Sequence, residues 1–212
     1  MKLIPAIKIV VWLLCLTPAA LLALKVYHVL WAPDPQFDLG PNPAEYLQHA
    51  TGDWAIRLLL TTLAITPLRK LFKYPALVRF RRLLGLFAFF YVVLHFVTYI
   101  WFDKQFDFGE MLKDVVKRPY ITVGFAALLM LIPLAATSTT GWIRRLGGKR
   151  WQRLHRLVYF ASLCAVIHYY WLVKSDITLP LMYGAIWAVL MLYRAGSWVQ
   201  RRKLPGRSPA AA

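Results

Sequence analysis

Residues 83–102 read LLGLFAFFYVVLHFVTYIWF. No charge falls within these 20 residues, and one imidazole, His95, interrupts an otherwise apolar and aromatic run. A bilayer core takes about 20 mostly apolar residues per helix, so the stretch predicts a membrane span, and a histidine inside a span marks function. Five more stretches share its character: 9–30, 54–68, 120–136, 154–173 and 177–193. The second is the weakest, being short and holding Arg57 near one end. The 212 residues are 59% hydrophobic and 17% charged, with a mean hydropathy of +0.52. That composition excludes a disordered, collagen-like or disulfide-built chain and argues against a soluble domain. Cys15 and Cys164 lie inside apolar runs and read as small core residues. The expected fold is all-α: a polytopic six-helix membrane bundle forming one domain over 1–212, with no internal repeat and no soluble second domain.

A net charge of +17 would suit nucleic acid, but the basic residues stand between apolar segments and not along one hydrophilic face. Their placement predicts orientation instead. With the N-terminus in the cytoplasm, 19 of the 26 Lys and Arg residues are cytoplasmic: Lys2, Lys8 and the groups within 69–82, 144–156 and 194–207. All nine acids fall on the other side: Asp34, Asp38, Glu45, Asp53, Asp103, Asp107, Glu110, Asp114 and Asp176. The positive-inside rule then predicts both termini inside. Trp31, Trp54, Trp101 and Trp171 sit at expected outer boundaries and Trp142, Trp151 and Trp198 at inner ones, the level indole rings prefer. The first run is long and no convincing A-x-A site follows it, so it reads as a span and not as a cleaved signal. The outer loop 32–53 holds Pro33, Pro35, Pro41 and Pro43 and reads as a stiffened connection with a short helix near 44–49.

His95 lies seven residues before the outer end of its span and His168 five before that of the fifth. At about 1.5 Å per residue both are roughly 8–10 Å below the outer edge, on helices of like direction. Each alone reads as an interhelical hydrogen bond. Two at one depth are what six-coordinate haem iron requires. Phe, Tyr and Leu residues around them suit a flat apolar macrocycle, and no C-x-x-C-H is present, so the haem would be b-type. His155 stands 13 residues before His168, about 20 Å deeper and about 140° around an ideal helix. The equivalent position on the third span is Arg82, so a second bis-histidine site lacks a ligand. His155 reads as a one-ligand haem site, a flavin or quinone contact, or an interfacial residue. His28 and His49 read as boundary and loop histidines. Arg57 reads as a haem-propionate anchor or a snorkelling cation, and Arg81 and Arg82 as inner-edge anchors, with Arg82 a further candidate cofactor contact. The chain carries no P-loop, G-x-G-x-x-G, G-x-S-x-G or H-E-x-x-H, and no acid in mid-membrane, which argues against proton-coupled transport.

The stretches Thr51-Gly52-Asp53-Trp54, Thr66-Pro67, Arg81-Arg82-Leu83-Leu84-Gly85-Leu86 followed by His95, Thr137-Ser138, Trp151, Leu154-His155-Arg156 and His168-Tyr169 resemble the MsrQ (YedZ) family. These are the haem-binding membrane subunits of the MsrPQ system, within the ferric-reductase-like domain shared with NADPH oxidases. The resemblance covers nearly the whole chain. It implies an inner-membrane protein with b haem and flavin mononucleotide (FMN), taking electrons from the quinone pool or a cytoplasmic flavin reductase. It further implies delivery to MsrP, a periplasmic molybdopterin enzyme that reduces methionine sulfoxide. The oxidases carry four ligand histidines, and Arg82 departs from that pattern. The expectation is an electron-transfer subunit with no substrate-converting site of its own. The rivals are a ferric reductase delivering to metal and a haem-free transporter or structural subunit.

Overall fold

The computed structural model describes residues 3–32 and 34–203, except for the side chains of Leu3 and of 201–203. Lys2, Pro33, Arg207 and the side chains of Arg201, Arg202 and Lys203, all weighed above, lie outside that description. Apolar stretches in lipid can satisfy their backbone groups only internally, and among the described residues the chain is helix and turn. The helices are α1 (Leu3–Trp31), α2 (Pro43–Leu71), α3 (Val78–Thr98), α4 (Phe108–Lys117), α5 (Pro119–Ala136), α6 (Thr140–Leu146), α7 (Gly148–Leu154), α8 (Leu157–Leu172) and α9 (Thr178–Lys203). The chain is an all-α, multi-pass membrane protein. Among the described residues, four segments are long and apolar enough to cross a bilayer: α1, α3 with its flanking turns, α5 and α9. The other two expected spans fall short of that measure, α8 at 16 residues and α2 through the polar residues of its first half.

The long helices alternate in direction, which gathers the acids at one end of the bundle and most basic residues at the other. The start of α2 meets the end of α3, where the Gln48 amide donates to Asp103 at 3.0 Å. Paired helices α2 with α3, and α5 with α8, form the body, and α9 closes on α2 and α8. Leu58 and Leu59 of α2, Phe80, Leu84, Phe87, Ala88 and Tyr91 of α3, and Leu131 and Leu134 of α5 make the main core. A second cluster joins Ile56, Leu60 and Leu63 to Tyr183 and Leu190 of α9.

Tyr91, fully buried, ties α1 to this body. Pro18 lacks an N–H and disturbs the α1 ladder. Beside it the Ala19 N–H donates to the Tyr91 hydroxyl at 3.0 Å, and that hydroxyl donates to the Cys15 carbonyl at 2.8 Å. The phenol is thus inserted into one broken rung of the helix. One hydroxyl thereby satisfies both the donor and the acceptor of that rung.

Three elements depart from the sequence reading. The second span is not a short helix behind a separate loop helix: α2 runs unbroken for 29 residues. Asn42 accepts the Glu45 N–H at 3.2 Å and donates to its carboxylate at 2.9 Å, with Pro43 at the first position, so capping starts the helix well before the apolar run. His49 is therefore a helix residue and not a loop one. The connection 104–118 holds a helix not foreseen, α4, capped by Asp107 accepting the Glu110 N–H at 2.9 Å. The fifth span starts late: α7 stops at Leu154, a turn takes up His155 and Arg156, and α8 begins at Leu157. Beside that turn the Trp151 indole donates to the carbonyl of Thr137, the residue that caps the end of α5, at 2.9 Å. The ideal-helix angle between His155 and His168 therefore does not apply.

Candidate functional site

Helices α2, α3, α5 and α8 enclose a cavity of about 220 Å³, against the 10–15 Å³ or so that one water needs. It is a built cleft and not a packing fault. Leu59, Leu128 and Leu131 line its deep part, while Asp53, Asp103 and Arg118 gather at the acidic end. His95 from α3 and His168 from α8 face each other across it, ring centres 6.1 Å apart with planes at 74°. Phe96 and Phe125, 5.9 Å apart, wall it beside His95.

Each imidazole is held from behind by a backbone carbonyl. His95 Nδ1 lies 3.0 Å from the Gln48 carbonyl oxygen of α2, and His168 Nδ1 lies 2.7 Å from that of Tyr120 in α5. A carbonyl only accepts, so Nδ1 carries the proton in both rings. In the neutral ring this leaves Nε2 with a bare lone pair. A metal-ligating histidine is oriented in the same manner. Two imidazoles bound through Nε2 at about 2 Å to one metal put their ring centres roughly 6 Å apart. The 6.1 Å found here fits that separation. Among the described residues no group of three or more His, Cys, Asp or Glu side chains converges. Two imidazole donors would suit a metal that brings further donors of its own, as a haem iron would.

The remaining candidates are placed differently. Arg57 is turned toward α9: its Nε donates to the Tyr183 hydroxyl at 2.9 Å, a second nitrogen is 3.5 Å from Asp53, and the guanidinium lies over Trp54. The structure does not bring it into the cleft with His95 and His168. Arg118 lines the cleft instead. The sequence pattern does not single it out, because it falls between the expected spans 83–102 and 120–136 and outside any apolar run. It is anchored by Asp114 at 3.4 Å and donates to the Tyr120 hydroxyl at 3.2 Å. The Lys104 ammonium, hydrogen-bonded to Asp114, holds that carboxyl below the usual carboxylate range, with Arg118 and Tyr99 acting in the same sense. His49 also lines the cleft, 3.8 Å from Glu45.

His155 lies at the basic end. Its ring stacks on Trp151 with centres 3.9 Å apart, and its Nε2 is 3.1 Å from the Thr137 hydroxyl. That hydroxyl donates to the Pro133 carbonyl at 2.6 Å, so Nε2–H donates to it and Nδ1 is the bare nitrogen. Arg81 is within electrostatic reach of this ring, while Arg82 is exposed.

A family model described as ferric reductase like transmembrane component matches residues 51–166, which include His95 and His155 and stop just before His168. Among individual relatives, the protein-methionine-sulfoxide reductase heme-binding subunit MsrQ of Herminiimonas arsenicoxydans is 56% identical over 168 residues, 78% of this chain and 77% of the relative. The subunit of the same name from Caulobacter vibrioides is 48% identical over 199 residues, 94% of this chain and 90% of its own. That of Xanthomonas campestris pv. campestris is 51% identical over 172 residues, 81% and 78%. The chain belongs to this MsrQ family within the ferric-reductase-like class.

Proposed function

We propose that this chain holds a b-type haem between His95 and His168 and passes electrons through it across the bacterial inner membrane to the periplasmic methionine sulfoxide reductase MsrP. The observation that carries the reading is the pair of imidazoles with Nδ1 engaged by backbone and Nε2 bare, spaced for one iron. Haem iron bound there would cycle between its ferric and ferrous states, one electron at a time. The protein does the rest. The Gln48 and Tyr120 carbonyls hold each ring in one tautomer and raise its basicity. Leu59, Leu128 and Leu131 keep water from the deep part of the cleft, and Arg118 offers a cation where a macrocycle's carboxylates would lie.

The membrane topology follows the charge. All six long helices span, in a single domain over 1–212, with both termini cytoplasmic and the acidic end periplasmic. The His95–His168 pair then lies near the periplasmic face and suits delivery outward. Electrons must reach it from the cytoplasmic face, about 20 Å away along the helix. His155 with Trp151 and the nearby Arg81 is where a second redox group, haem or FMN, or a quinone would sit, fed by quinol or by a cytoplasmic flavin reductase. The decisive experiment is the visible spectrum of the purified protein with haem quantified per chain, in wild type and in His95→Ala and His168→Ala. A Soret band that both substitutions largely abolish supports the reading. A wild-type protein without one overturns it and leaves a transporter or structural subunit.

A further inference from the structure

The cleft contains one device used twice. In α2 the carbonyl that binds His95 belongs to Gln48, and four residues on stands Gly52; in α5 the carbonyl that binds His168 belongs to Tyr120, and four residues on stands Gly124. In a helix the side chain at i+4 lies over the turn that carries the carbonyl of residue i. A ring that is to reach that carbonyl meets whatever stands at i+4. A Cβ built on Gly52 would lie 3.2 Å from His95 Nδ1 and Cε1, and one on Gly124 would lie 2.7 Å from His168 Nδ1 and 2.9 Å from its Cε1. The second separation is impossible without moving the ring. Gly85 and Gly184 also pack between helices, but a Cβ on either meets its neighbour at an ordinary 3.6 or 3.5 Å. A Cβ on Gly109 would lie 3.2 Å from Asp107, but within the cap of its own helix; among the described residues, tight approach between two helices is confined to the two histidine seats.

We infer that Gly52 and Gly124 are positioning residues, each clearing the face of one helix so that the imidazole of its neighbour can dock on a backbone carbonyl with Nε2 aimed into the cleft. The inference rests on the haem reading above. A ring kept off its carbonyl loses the bond that orients it, so Nε2 leaves the line to its partner. The two seats differ in tightness, and the His168 seat tolerates less.

The test uses the full chain, expressed in membranes and purified in detergent, carrying Gly124→Ala, Gly52→Ala, Gly85→Ala, His95→Ala or His168→Ala. Haem per chain, the low-spin electron paramagnetic resonance signal and the midpoint potential are measured. Gly124→Ala should lose most of the low-spin signal in favour of high-spin haem. Gly52→Ala should keep its haem with a displaced low-spin signal and potential, and Gly85→Ala should match wild type. These readouts follow ligand orientation, which a general loss of packing would not displace selectively. Should Gly124→Ala fail to accumulate, Gly52→Ala decides alone. Wild-type signal and potential in the glycine variants, while the histidine variants lose haem, would overturn the inference. Full haem in both histidine variants would overturn the reading beneath it as well.

Discussion

His95 and His168 at the acidic end hold their Nδ1 protons against backbone carbonyls and leave Nε2 bare, whereas His155 at the basic end has Nε2 engaged by Thr137 and one ring face covered by Trp151. The first arrangement sets two rings, each with a bare Nε2, 6.1 Å apart across one cleft. The second presents a single nitrogen beside an arginine and has no facing imidazole, since Arg82 occupies the equivalent register and is exposed. The same residue type thus forms a facing pair in one place and a one-sided contact in the other. The difference lies in what stands across from each ring: a glycine on a helix face, or a stacked indole.

The comparison depends first on which end is periplasmic. A reporter active only in the periplasm should be fully active when fused after residue 176 and inactive after residue 212. The reverse pattern would exchange the roles of the two ends. Next in size is the loss of a ligand. His168→Ala and His95→Ala should each weaken haem retention by more than about 100-fold, since losing a group that only orients a metal ligand already costs about 10–100-fold, measured as haem per chain after dilution. His155→Ala should do less at the acidic end. Its haem spectrum should persist and dithionite should still reduce it, while reduction from the cytoplasmic side slows several-fold in stopped-flow traces. Wild-type rates with both quinol and flavin reductase as donors would remove His155 from the route.

A smaller effect is expected at the mouth of the cleft. Asp114→Asn should loosen α4 by about 1.5–3 kcal/mol, the range for a lost charged hydrogen bond, seen as faster hydrogen exchange of α4 amides with little change in the spectrum. The folded pKa of Asp114 is depressed, so its contribution is present above the unfolded value and disappears as pH falls through the folded one. Protection of α4 should therefore hold from neutral pH down to about pH 4 and decline below it. The smallest effect belongs to Arg57→Gln. Because Arg57 bonds to Tyr183, the haem spectrum should not move; a clear Soret shift would return Arg57 to the cleft.

Several of these features could be read before any coordinates. His95 and His168 stand out because an imidazole in an apolar run is conspicuous, and their common depth follows from counting residues to a boundary. Arg57 was conspicuous for the same reason, yet its side chain serves the α2–α9 contact. Arg118 is not legible in this way, because nothing in 104–118 says that α4 folds it back over the cleft. Gly124 offered a faint signal as a lone glycine within an apolar helix, and Gln48 offered none, since its contribution is a carbonyl that every residue has.

What the sequence determined by itself is therefore what a bilayer imposes on a chain locally. Apolar runs become helices, basic residues sort to one end and acids to the other, and the depth of each histidine is set by counting. Tertiary structure alone decided which ring nitrogen is bare, which glycine admits a ring, and which arginine reaches the cleft. The contacts that decide the first of these at His95 and His168 join residues 47 and 48 positions apart in the chain. They depend on the rotation and spacing of packed helices, which residue type and periodicity do not encode.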